Sequence, residues 1–181
     1  MNPYPYKSEQ RLNEARTCID RMKSAKNVSE VKEAFISFLN ASRFSLDPLK
    51  TDFSEVEGFE EWWRGKGTFL ESDALCRFFK QLRNDITKAG KDPFGVSHAI
   101  KGPVSLSGPL QIGQQGILRG VMERGRQVWK STSIPNATTT VSLGGTPDEF
   151  KDLSLPDLCQ SYVDTLTRVV DDFVLKFGGG N

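Results

Sequence analysis

The chain has little histidine and little cysteine, and what it has is badly placed for metal chemistry. His98 is the only histidine among 181 residues. That excludes a histidine-pair metal site or a zinc-protease helix, both of which need two imidazoles on one face. Cys18, Cys76 and Cys159 are far apart and odd in number, with no CxxC or CxxH spacing. A closed zinc site therefore lacks a ligand set, and three scattered thiols suit a reducing compartment better than a disulfide framework. No apolar run approaches the ~18 residues of a membrane span, and the start, MNPYPYKSEQRLNEAR, lacks a signal peptide's basic and apolar regions. These features predict a cytoplasmic protein with no membrane partner and no metal or cofactor. An excess of one charge is also missing, with 24 Lys+Arg set against 23 Asp+Glu. A polycationic or acidic tail is excluded, and 37% apolar residues with 12 Phe can build a core.

Phosphate-cradling signatures are absent as well. There is no GxGxxG, and the glycine pair in Gly113-Gln114-Gln115-Gly116 lacks the Lys-Ser/Thr of a P-loop. No GxSxG elbow occurs, and a serine triad would depend on His98 alone, which lies in the loop-like stretch Gly95-Val96-Ser97-His98. Cys76, beside Leu75, reads as a buried structural thiol.

What the chain does contain is helical periodicity at both ends. Leu12, Ala15, Ile19 and Met22 form one face of a helix over about 7–26. Asn27 caps a second helix, with Glu30 as the other half of a capping box and Val31, Ala34, Phe35, Phe38 and Leu39 as its apolar face. Pro48 is expected to stop it. Ser54-Glu55-Val56-Glu57 reads as a capping box opening a short helix with Phe59, Trp62 and Trp63, ended by Gly65 and Gly67. Thr68–Glu71 opens the next, with the stripe Leu75, Phe78, Phe79, Leu82 and Ile86, closed by Gly90 and Pro93. Pro156 sits in the first turn of a last helix over 156–177, striped by Leu158, Tyr162, Leu166, Val169, Phe173 and Phe177.

Between 95 and 145 the character changes. Glycines recur there with Pro103, Pro109 and Pro135, and separate the strand-like runs Val104–Leu106, Ile117–Met122, Gln127–Trp129 and Thr138–Leu143. The fold expected is mainly α: one domain over 1–181, built on a bundle of four to five helices with its core over 7–90. A small β or irregular insertion over 95–145 precedes the C-terminal helix, which packs on that core. Residues 178–181, Gly-Gly-Gly-Asn, read as a frayed tail.

Two basic–aromatic groups stand out. Trp62 and Trp63 beside Arg64 and Lys66 could stack bases near a positive charge, but core packing explains them more simply. Arg119, Arg124, Arg126, Trp129 and Lys130, opposed only by Glu123, form a denser candidate surface for RNA or another anion. The segment 146–177 is acidic, so the neutral total conceals a basic middle and an acidic end.

The helix Ala74-Leu75-Cys76-Arg77-Phe78-Phe79-Lys80-Gln81-Leu82-Arg83-Asn84-Asp85-Ile86-Thr87-Lys88 ends an aromatic stripe on Leu-Arg-Asn. It resembles the last-helix signature of HEPN-type helical domains, and Ala34–Arg43 resembles the antiparallel partner helix of that family. In ribonuclease members the resemblance implies an Arg that stabilises a phosphate transition state and a His that moves protons, at a dimer interface. Arg83 and Asn84 match that pattern, whereas the His window holds Lys88, Ala89 and Gly90. An ammonium with an ordinary pKa of about 10.4 is a poor general base at neutral pH. The expectation is a non-catalytic HEPN-like binding or regulatory module, prokaryotic in origin and homodimeric. Arg83, Asn84 and Lys88 would line a groove for RNA or a nucleotide. The alternatives are a metal-independent endoribonuclease using Arg83 with Lys88 or a folded-back His98, and an unrelated helical scaffold.

Overall fold

A computed structural model describes residues 4–100, 110–113, 116–123, 126–131 and 137–178, with side chains over 4–97 and 139–178. The described elements are mainly helical: α1 (Tyr6–Ser24), α2 (Val28–Arg43), α3 (Asp47–Phe53), α4 (Phe59–Ser72), α5 (Ala74–Ala89) and α6 (Leu155–Phe177). Between α5 and α6 run the strands β1 (Phe94–Ile100), β2 (Leu110–Gly113), β3 (Gly116–Glu123), β4 (Arg126–Ser131) and β5 (Ala137–Leu143). A 3-10 turn at Asp148–Phe150 leads into α6.

The helix starts follow from local side-chain chemistry. The Asn27 side chain accepts from Glu30 N at 3.0 Å, while Glu30 reaches back to Lys26 N at 2.8 Å. Asp73 accepts from Cys76 N at 2.8 Å at the start of α5, and Ser154 accepts from Asp157 N at 3.3 Å at the start of α6. Gly90 ends α5 with φ +61°, a conformation that side chains with a Cβ disfavour.

Three helix boundaries differ from the expected ones. Pro48 does not stop α2; it stands in the first turn of a separate helix, α3. A proline that bars helix on its N-terminal side is well suited to begin one, because its missing N–H would have no partner there. The chain leaves α2 four residues earlier instead, where Ser45 Oγ donates to Ser42 O at 2.8 Å. The Ser54–Glu57 box opens nothing: α4 begins at Phe59, after Gly58 turns the chain at φ +78°. Gly65 and Gly67 do not end α4, which runs on to Ser72. Each internal glycine costs about 1 kcal/mol. The burial of Phe59 and Trp62, and the tie of Trp62 and Lys66 to Asp172 on α6, offset that cost. Thr68–Glu71 accordingly lies inside α4, and α5 starts at Asp73–Ala74.

The core is an aromatic layer. Phe35, Phe38, Phe59, Phe79 and Phe173 are fully buried. Phe79 stacks on Tyr162 with centroids 4.3 Å apart and planes at 11°. Phe38 meets both rings edge-on, at 5.9 and 6.4 Å. Helices α1, α2, α5 and α6 thus close on one another through the predicted stripes.

The β segment contains a two-stranded sheet, β1–β5, and a three-stranded antiparallel sheet ordered β2-β3-β4. The run 138–143 falls in β5, 117–122 in β3 and 127–129 in β4, while 104–106 lies outside the described residues. β1 occupies the stretch expected to be a loop. Its register runs from Phe94↔Leu143 to Ile100↔Ala137. Gly95 is there because the strands approach closely: a Cβ at that position would stand 2.8 Å from Ser142 Oγ. The ribbon is anchored at its root, where Phe94 packs edge-on against Phe35 at 5.4 Å and Lys32 pairs with Asp92 at 2.8 Å. Gly144 N donates to Pro93 O at 2.9 Å beside buried Leu143. A two-stranded ribbon is marginal alone, so this anchorage carries much of its stability.

Phe35→Ala removes a ring that touches Phe38, Phe79 and Phe94. Urea denaturation is expected to show a loss of ~3–5 kcal/mol, typical of a fully buried Phe.

Candidate functional site

Where α2, α4, α5 and α6 meet, the structure leaves a half-open groove of about 290 Å³. Its floor is the outer side of the aromatic layer, with Phe79, Tyr162, Leu39 and Leu166. Trp63, Gly67 and Leu70 of α4 form one wall. The rim carries Arg43, Asp47, Glu71, Lys80 and Arg83.

Arg83 is half-buried, and its guanidinium donates to Asn84 Oδ1 at 3.1 Å. Among the described residues no carboxylate lies within ion-pair distance of Arg83 or Arg43; Arg43 stacks instead over the Phe44 ring at 4.6 Å. Lys80 and Glu71 pair loosely at 3.8 Å. Tyr162 presents its ring to the groove, and burial pushes its phenol pKa up although nearby Arg83 draws it down. It is a neutral O–H donor at physiological pH, and no hydrogen bond to a described residue satisfies it. Cys76, in the same wall, is pushed up to about 12 by burial and by neighbouring Asp73. It is held as an unreactive thiol. The arrangement can bind an oxyanion, through guanidinium and phenol donors, over an aromatic floor that repels water.

The other predicted residues are dispersed. Asn84 is half-buried beside Arg83 and does not line the groove. Lys88 is exposed, five residues on. At about 100° per residue it sits about 140° around α5 from Arg83. His98 lies in β1 opposite Thr139, and its side chain is outside the described part. In the three-stranded sheet Arg119 is opposite Lys130, Arg126 opposite Glu123 and Trp129 opposite Gly120, while Arg124 lies outside the described residues.

Trp62 is core, and its Nε1 donates to Asp172 Oδ2 at 2.7 Å. Lys66 pairs with the same carboxylate at 2.8 Å. Trp63 stacks on Phe59 at 5.8 Å and turns its remaining surface to the groove. Sequence reasoning missed Arg43 and Tyr162 as site residues. A visible signal was Tyr162 itself, a polar-tipped ring inside an otherwise apolar stripe of α6.

Among the described residues no group of three His, Cys, Asp or Glu side chains is placed to hold a metal ion, and no helix is long and apolar enough to cross a membrane. No protein-family model, curated protein or solved structure matches the chain.

Lys66, and then Trp62, hold the Asp172 carboxyl below the usual range. Its contribution is present above the ordinary carboxylate pKa of about 3.9 and is lost as pH falls through the lowered value. Thermal melts should show Asp172→Asn less stable than wild type at pH 7, with the difference shrinking below about pH 4.

Proposed function

We propose that the chain is a non-catalytic, HEPN-like helical module that binds or regulates, and that its working surface is the groove beside Arg83. The observation that carries this reading is a half-buried guanidinium with no carboxylate partner among the described residues, in the groove that Tyr162 and Phe79 also line. A structural arginine at that depth is expected to spend its donors across the packing, as half-buried Arg16 does on Asn13 and on Thr167 of α6, because an unpaired buried charge is costly. One left open in a groove that half-buried Tyr162 also lines is suited to an oxyanion supplied from outside. Phosphate transfer by the ribonuclease route also needs a proton shuttle near the Arg. Lys88, the residue in the histidine window, sits about 140° around α5 from Arg83, which favours binding over cleavage.

Structured RNA incubated with pure protein in EDTA is expected to remain intact. Arg83→Ala is expected to leave the helical far-UV circular dichroism unchanged while removing oxyanion binding. Discrete EDTA-resistant cleavage that disappears in Arg83→Ala would overturn the non-catalytic reading.

A further inference from the structure

The charge and size of the groove narrow its ligand, on the premise that the Arg83 groove is the binding surface. We propose that it takes a single-ring aromatic monocarboxylate, with the ring against Tyr162 and Trp63 and the carboxylate held by Arg83 and the Tyr162 hydroxyl.

Size is the first argument. A cavity of ~150 Å³ lined by apolar side chains accommodates benzene, and sites for drug-sized ligands begin at ~300 Å³. The groove, at about 290 Å³, has room for one ring and a short acidic arm. A nucleotide would leave much of its sugar and phosphate outside.

Charge is the second. Lys80 and Glu71 offset one another at 3.8 Å. The remaining rim charges are Arg43 and Arg83 against Asp47, one net positive charge. A carboxylate carries one negative charge at neutral pH. A phosphate monoester carries about −1.5 to −2 and would bring the excess towards Asp47.

Donor geometry is the third. Arg83 spends one N–H on Asn84 and keeps the rest of its planar fork, which matches the two oxygens of a carboxylate. Phe79 is fully buried behind Tyr162, so the rings left to a ligand are the half-buried Tyr162 and Trp63, against which an aromatic ring gains contacts that an aliphatic acid does not. Gly67 keeps the slot open: a Cβ added there meets nothing within 4 Å, because it would project into free space.

Isothermal titration of the full chain with phenylacetate, benzyl alcohol, AMP and inorganic phosphate tests this. Phenylacetate is expected to bind one per chain, with the other three at least ~10-fold weaker. Arg83→Ala should weaken phenylacetate by roughly 10- to 100-fold, the range for losing a hydrogen bond to a charged group. Gly67→Leu, which fills the slot with a good helix former, should abolish binding without lowering the melting temperature. Binding that ignores both substitutions would overturn the proposal, since the ligand would then lie elsewhere. Arg83-dependent binding of AMP or phosphate with phenylacetate inert would overturn the ligand class and leave the groove as the functional surface. If no probe binds in an Arg83-dependent way, both readings fall.

Discussion

The stacking of Phe79 on Tyr162, enclosed by Phe35 and Phe38, is the contact on which the rest depends. One side of this layer is the core in which α2, α5 and α6 meet. Phe35 extends it to Phe94, which roots the β1–β5 ribbon in the helical body. The opposite side of the Phe79–Tyr162 pair is the floor of the groove. The core and the groove therefore share rings, and a substitution in the layer alters both.

Around that floor the polar groups are left in unequal states. Asp172 is fully engaged, accepting from Trp62 and pairing with Lys66, and Asp92 is engaged with Lys32 and Phe94 N. These ties brace α4 on α6 and the ribbon on α2. Arg43 and Arg83 have no such partner among the described residues, although both lie within reach of a chain rich in carboxylates. Arg16, also half-buried and without a carboxylate, spends its donors on Asn13 and on Thr167 of α6, whereas Arg83 meets only its neighbour Asn84, and that contrast argues for Arg83 as a binding group.

The legible parts of the fold were those decided within one helical turn. The Asn27–Glu30 box, Pro156 in the first turn of α6 and the α5 stripe needed only near neighbours, and they agree with the structure. Pro48, Gly65 and Gly67 were misleading because their usual local meaning was overridden. Serine bonds ended α2 before Pro48, and contacts to Asp172, more than a hundred residues away, carried α4 through its glycines. β1 was hidden by Gly95 and Ser97, residues that suit a close cross-strand approach as well as a loop. Arg83 was legible as a candidate from the α5 motif. Its groove was not, since Arg43, Trp63 and Tyr162 come together only when three other helices pack around α5.

On this reading the Arg83 guanidinium is open to an external oxyanion. The Arg83 Nε–H resonance in 15N-arginine-labelled protein, assigned with Arg83→Lys, reads this directly. The account predicts an Nε–H that exchanges readily with water in the free protein, then shifts and becomes protected as a carboxylate ligand is added. A resonance already protected without ligand and unmoved by it would show that the charge is satisfied internally, and would contradict the account.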